Sequence, residues 1–261
     1  MAESFEEAAI HIDTRGDGTD VVFLHGLPQF PGDSTAWASA LASSFRTHVV
    51  HLPGYGRSPA APSPYDWDGV CAELASDLRD GGVERCVVVG SSGGFYRGLQ
   101  LASMDEGPEV VGLVGLGPVA TFDEEARAGL RAFAQALRDG VDLSAVAVQQ
   151  LLSPEFAAAH PDAAAHAAAS LRAAPPEAMA AEFESLASMP DLAGAITGPT
   201  CPVVLRVGEH DAAAPLSVVS ALGATLGADV QVVAGAGHLL ALEDSDGTLQ
   251  ALRGALRAMV R

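Results

Sequence analysis

The chain has 261 residues, with 14 basic side chains, all of them arginine, against 33 acidic ones, for a formal net charge of −19. So acidic a chain repels phosphate backbones and anionic lipid surfaces, which excludes nucleic-acid binding and membrane-surface binding as first readings. A hydrophobic share of 49% with 18% charged residues describes a globular chain, long enough for one full core and a small inserted subdomain.

The segment Met1–Glu7 is acidic and has no apolar stretch of the signal-peptide kind, and no apolar run is long enough to span a bilayer. Cys71, Cys86 and Cys201 are odd in number and have no metal-ligand spacing, so they read as buried free thiols. That usage suits a reducing compartment, and the expectation is a cytoplasmic protein acting on a small molecule, without a metal. Self-association is left open by the sequence.

In chain order, β-branched apolar runs recur at Val21–Leu24, Val49–Leu52, Cys86–Val89, Val110–Val114, Pro202–Val207 and Val230–Val233. Continuous runs of this length predict strands buried on both faces, the mark of a parallel sheet. Helical spacing fills most of the gaps. Val70, Leu74 and Leu78 lie on one face of a helix over Trp67–Leu78, and Leu216–Leu226 and Leu249–Val260 behave alike. Strand–helix alternation predicts an α/β fold with right-handed crossovers.

The alternation stops between Thr121 and Ala195. Thr121 to Glu124 reads as a capping box that opens a helix, with Phe122, Ala126, Leu130, Phe133 and Leu137 at helical spacing and Gly140 as its stop. Ser153-Pro154-Glu155 and Pro175-Pro176-Glu177 open two more helices, with proline in a first turn that needs no N–H. The predicted organisation is a core formed by residues 1–120 and 196–261, with a helical cap over 121–195.

Chemistry concentrates in four loops that follow predicted strands. Gly90-Ser91-Ser92-Gly93-Gly94 is a G-x-S-x-G turn between the run Cys86–Val89 and the helical stretch Phe95–Ala102. A turn that tight strains the serine and lifts its hydroxyl off the sheet, which makes Ser92 the candidate nucleophile. A phosphate-cradling loop is the competing reading, but no P-loop lysine follows. The strand before His25-Gly26-Leu27-Pro28 ends on the same predicted edge, so the backbone N–H of Leu27 can join that of Gly93 as an oxyanion hole. His25 precedes the nucleophile and reads better as a loop-stabilising residue than as a base.

Gly208-Glu209-His210-Asp211 and Gly235-Ala236-Gly237-His238 each follow a strand. With Ser92 they give the order serine, acid, histidine, in which His238 is the base and Asp211 orients it and stabilises the imidazolium. Glu209 and His210 compete with Asp211, and Asp123 is an alternative acid.

With these motifs assembled, the chain resembles the single-domain α/β-hydrolases that include 3-oxoadipate enol-lactonases, small carboxylesterases and cofactor-free haloperoxidases. The resemblance runs from His25-Gly26 through Leu52-Pro53-Gly54-Tyr55-Gly56-Arg57-Ser58 and the Ser92 turn to Asp211 and Gly237-His238. It implies an α/β-hydrolase fold with an eight-stranded, mostly parallel sheet, a helical cap and no cofactor. It also makes Gly54–Ser58 a structural loop.

Two places depart from the family pattern. His51 stands where the family commonly has an acid, and Phe95 and Arg97 replace a small and an apolar residue after the turn. Arg97 is either a paired structural residue or a binder of a substrate carboxylate. Phe30, Phe95 and Arg97 are therefore the candidate substrate-binding residues, and Phe30, Trp37 and Phe95 fit the core equally well.

The leading expectation is hydrolysis of a small ester or lactone through an acyl-enzyme. The same residues also suit C–C bond hydrolysis, perhydrolysis, or acyl transfer and cyclisation on a biosynthetic intermediate under a water-excluding cap. A non-catalytic ligand-binding protein is the third reading, since fold alone does not guarantee activity.

Overall fold

In the computed structural model, residues 10–27, 34–59, 67–190 and 201–260 are described. Seven strands form one sheet: β1 (Ile12–Arg15), β2 (Asp20–Leu24), β3 (Arg46–Val50), β4 (Arg85–Ser91), β5 (Glu109–Leu116), β6 (Val203–Gly208) and β7 (Asp229–Val233), in the order β1-β3-β2-β4-β5-β6-β7. All pairs are parallel except the edge pair β1 and β3, which runs antiparallel with Ile12 opposite Val50. The resemblance implied eight strands; the described residues hold seven. β1 (Ile12-Asp13-Thr14-Arg15) holds one apolar residue and runs from half-buried to exposed positions, so the run criterion passes over it.

The period-two alternation of the strands separates two cores. Val22, Leu24, Val88, Leu113 and Leu205 face one side, where α2 (Trp67–Asp80), α3 (Gly93–Ala102) and α9 (Leu216–Leu226) cover them. Val21, Phe23, Val87, Val89 and Val114 face the other, beneath α1 (Ser34–Leu41) and α11 (Ser245–Met259). Between β7 and α11 lies the short α10 (Leu240–Glu243). Each fully buried side chain of this size contributes roughly 1.5–3 kcal/mol, so burial on both faces fixes the strands without help from alternating polarity.

Among the described residues, five helices stand between β5 and β6: α4 (Glu124–Arg138), α5 (Ser144–Leu151), α6 (Pro154–Ala159), α7 (Pro161–Ala173) and α8 (Pro176–Ser188). The predicted start of α4 is corrected. Asp123, not Thr121, is its N-cap, and the Asp123 carboxylate accepts the Ala126 N–H at 2.8 Å, because an ionised acceptor suits the positive end of the helix. Gly140 follows α4 with φ 75°, and Ser153 caps α6 with Pro154 at its first position. α4 and α8 are tied by Arg138, which pairs with Glu177 and Glu184, and by the Phe133 and Phe183 rings, 5.1 Å apart. Among the described residues no helix is long and apolar enough to cross a membrane.

The chain leaves β2 toward β3 on one side, then jumps back across β2 to form β4 on the other. The carboxyl ends of β2 and β4 therefore flank the switch point, where open parallel sheets form their crevices.

Candidate active site

Ser92 links β4 to α3 with φ 52° and ψ −124°. Among the described residues it is the one non-glycine with positive φ, a conformation that costs of order 1–3 kcal/mol. Its surroundings hold it there. Its N–H donates to the Leu116 carbonyl at 2.9 Å, and its carbonyl accepts from Phe95 and Val119, both at 3.1 Å. Glycine is required on both sides. A Cβ on Gly90 would lie 2.5 Å from the Phe95 backbone, and one on Gly94 would collide with the Leu24 carbonyl. Gly93 opens α3, so its N–H belongs to the first turn, which has no intrahelical acceptor.

His238 and Asp211 meet behind this turn. The Nδ1 of His238 lies 2.8 Å from one Asp211 oxygen and 3.0 Å from the other, and both side chains are almost fully buried. A carboxylate only accepts, so Nδ1 carries the proton and Nε2 keeps its lone pair. Asp211 also accepts the Ala214 N–H at 2.7 Å, which fixes its rotation. Glu209 and His210 are exposed, and the Glu209 carboxylate accepts the Gly235 N–H instead. Asp123 caps α4 at the surface.

Two further residues support the pair. Gly117, at φ 52° just past β5, leaves room that a Cβ would fill 2.9 Å from His238 Nδ1 and 3.2 Å from Asp211 Oδ2. Glu243 accepts both the Gly237 N–H at 2.9 Å and the Ser153 N–H at 3.1 Å on one oxygen. The Leu151 carbonyl accepts the N–H groups of His238 and Leu239, at 2.9 and 3.1 Å, so the His238 loop is joined to α5 and α6 as well as to the sheet. Sequence reasoning missed both residues. Gly117 carried a weak signal, a glycine closing an apolar run; Glu243 carried none, because its partners are backbone groups distant in sequence.

Ser92, Gly93, Leu27 and His238 line one cavity of about 370 Å³. The rest of its wall is Val119, Phe122, Leu130, Phe133, Met179, Phe183 and other apolar residues, mostly from α4, α5, α7 and α8. Gln150 is the one polar side chain that these helices contribute among the lining residues, and no carboxylate or arginine is among them. A crevice of about 30 Å³ on another side of Ser92, walled by Trp37, Leu116 and Leu240, has room for one or two water-sized groups.

For Phe95 and Arg97 the surroundings favour the structural reading of the two left open. Phe30 lies outside the described residues. Phe95 is fully buried and packs on Gly115 of β5, so it belongs to the core. Arg97 is 1% exposed and away from the cavity: its Nη1 donates to Gln100 at 2.9 Å, lies 3.5 Å from the Met189 sulfur, and its guanidinium sits 5.2 Å from the Tyr96 ring centre. Its charge falls beside Glu182 of α8, whose carboxyl is pushed up to about 8 by burial, against the pull of Arg97 and a Tyr55 hydrogen bond. Trp37 is buried on the opposite sheet face, with its indole N–H on the Ser245 carbonyl.

Both remaining histidines of interest are committed to structure. His25 accepts the Leu52 N–H on Nε2 at 3.1 Å and donates from Nδ1 to the Gly26 carbonyl, and burial holds its pKa down at about 4. His51, close enough to His11 and Asp13 for the three to share a cation, accepts the Arg57 N–H on Nδ1. Its proton is therefore on Nε2, which donates to Asp13, and Asp13 also pairs with the Arg57 guanidinium. That group is satisfied as a salt-bridge network.

Comparison with known proteins places this geometry in context. A pimeloyl-[acyl-carrier protein] methyl ester esterase from Chromobacterium violaceum is 35% identical over 133 residues, 49% of this chain and 51% of that protein. The chain thus spans about half the length of that curated relative, and 37% and 20% of two such esterases from Nitrosospira multiformis and Nitrosomonas europaea. Among solved structures, a thermophilic esterase from Thermogutta terrifontis, determined with malate bound, superposes with a TM-score of 0.86 at 26% identity, covering 96% of this chain and 93% of that one. An enol-lactonase from Burkholderia xenovorans shares the fold at a TM-score of 0.82 and 18% identity, covering 95% and 96% of the two chains. The model of the alpha/beta hydrolase family matches residues 21–251, the span from β2 to α11 that carries the Ser92 turn, Asp211 and His238, and the chain belongs to that family.

Proposed function

We propose that the protein is a serine hydrolase of small-molecule esters or lactones, with Ser92 as nucleophile, His238 as base, Asp211 as the acid that orients the base, and the N–H groups of Leu27 and Gly93 as oxyanion hole. One observation carries the reading: the strained Ser92 borders the same cavity as a histidine whose Nδ1 is bonded to a buried carboxylate. His238 Nε2 takes the hydroxyl proton as Ser92 Oγ attacks the carbonyl carbon. The oxyanion is met by the two N–H groups, and each such donor supplies roughly 3–4 kcal/mol of barrier reduction. The imidazolium, stabilised by Asp211, returns the proton to the leaving alcohol, and water then cleaves the acyl-enzyme by the same route. In this reading the five helices between β5 and β6 act as a cap that keeps bulk water from the acyl group.

The cavity narrows the substrate class. An apolar wall with no charged lining suits an uncharged acyl group, and a dicarboxylate would bury a charge without a partner. A carrier-bound substrate needs a docking face as well. Arg131, Arg138 and Arg172 of the helical insertion are paired with Glu124, with Glu177 and Glu184, and with Asp142, and an acidic partner would meet a chain of net charge −19. These features favour a free ester. Ser92→Ala is expected to lower kcat/KM for a small aryl ester at least about a thousandfold with the fold intact by circular dichroism; turnover equal to wild type refutes the assignment.

A further inference from the structure

Behind the cavity at Ser92 lies a second one of about 330 Å³ inside the helical insertion. The two share four wall residues, Phe133, Ala147, Leu171 and Met179. Each comes from a different helix, α4, α5, α7 and α8 respectively. The boundary between the two spaces lies where these four side chains meet, and rotamer changes at Phe133, Leu171 and Met179 would alter its width. Met179 is unbranched and adaptable, and Ala147 leaves the partition thin.

Both spaces are partly open to solvent, and their walls are mainly apolar. Two such spaces back to back, one reaching Ser92, have the form of a binding path. The inner space alone is at the small end of the roughly 300–1,000 Å³ usual for ligand sites. The outer one continues its apolar lining through Leu137, Leu143 and Ala174. At its rim the lining turns polar: Arg172 donates to Ser144 at 2.9 Å and stands 3.9 Å from Asp142.

Resting on the hydrolase reading above, we infer that the outer cavity is an acyl-tail site, so that the preferred substrates are esters of long, unbranched, apolar acids. Their carbonyl lies at Ser92, the chain passes the Met179–Leu171 partition, and the methyl end lies against Ala174 and Leu143. Short acyl esters fill only the inner cavity and lose the burial of the remaining methylenes.

The experiment is a chain-length profile with p-nitrophenyl butyrate and p-nitrophenyl dodecanoate for wild type, Ala174→Phe and Met179→Ala. Ala174 borders only the outer cavity, so A174F is expected to lower kcat/KM for the dodecanoate at least about tenfold while leaving the butyrate within about twofold. M179A widens the partition and is expected to raise the dodecanoate to butyrate ratio. Equal changes for both esters in A174F, or none for either, overturn the tail site while Ser92-dependent butyrate turnover keeps the hydrolase reading. If wild type turns over neither ester, the hydrolase reading is what fails, and the site is then read by calorimetry with dodecanoic acid. Binding that A174F abolishes upholds the cavity as an apolar-chain site, and absence of binding to wild type overturns it.

Discussion

Replacing Glu243 by alanine removes the one carboxylate oxygen on which the N–H groups of Gly237 and Ser153 converge, at 2.9 and 3.1 Å. Hydrogen bonds to a charged acceptor contribute roughly 1.5–3 kcal/mol each. Glu243 is only half-buried, so the lower value applies to both, for a total loss of about 3 kcal/mol. In a chain of this size that lowers Tm by about 6–12 °C. The lost contacts lie next to His238 and at the N-cap of α6, so the imidazole shifts relative to Ser92. A displacement of the order of 1 Å in a reacting group costs about a hundredfold in rate. Glutamine keeps an acceptor oxygen without the charge and retains about half of the stabilisation. Thermal unfolding and kcat/KM for p-nitrophenyl butyrate, measured on Glu243→Ala and Glu243→Gln, are expected to fall in the order wild type, Gln, Ala. An alanine variant matching wild type in both would refute the idea that this carboxylate joins the His238 loop to the helical insertion.

Two other perturbations follow from the same geometry. Gly117→Ala forces a side chain into positive φ and against His238 Nδ1; it is expected to cost about 1–3 kcal/mol of stability and at least about tenfold in kcat/KM, and wild-type turnover would show that the His238–Asp211 pair tolerates the methyl group. For Glu182 the sign follows from burial, which raises its pKa from 4.5 to about 8, so that between those values the folded protein holds a proton that the unfolded chain has released. Its contribution to stability therefore falls as pH rises through that window, by up to about 1.4 kcal/mol per pH unit, and is flat above it. Glu182→Gln lacks that slope, so its Tm advantage over wild type should grow from pH 4.5 to 8; parallel curves would contradict the burial argument.

The strands buried on both faces were legible because their buried positions are mostly apolar, and Val21–Leu24 and Cys86–Val89 fall inside β2 and β4. The edge strand β1 was not, since an edge strand paired on one side and partly exposed can carry polar residues such as Asp13, Thr14 and Arg15. The four loops that carry Leu27, Ser92, Asp211 and His238 could be read because each closes a strand of a parallel sheet, which fixes the edge on which it emerges. For Arg97 and Phe95 the sequence left two readings open for a physical reason. Proximity in sequence to Ser92 puts them on α3, but the helical turn points them into the core and toward Met189. Cavity-lining residues such as Phe133, Leu171 and Met179 were invisible as such, because a residue that lines a cavity and one that fills a core have the same composition. Only the packing of α4, α5, α7 and α8 distinguishes them.

The central claim is that Ser92 is an activated nucleophile, and the most direct measurement is intact-mass analysis and peptide mapping after treatment with a small fluorophosphonate. The account predicts one adduct, on Ser92, absent in Ser92→Ala and strongly slowed in His238→Ala. A folded wild-type protein that takes up no adduct, or takes it up elsewhere, would contradict it.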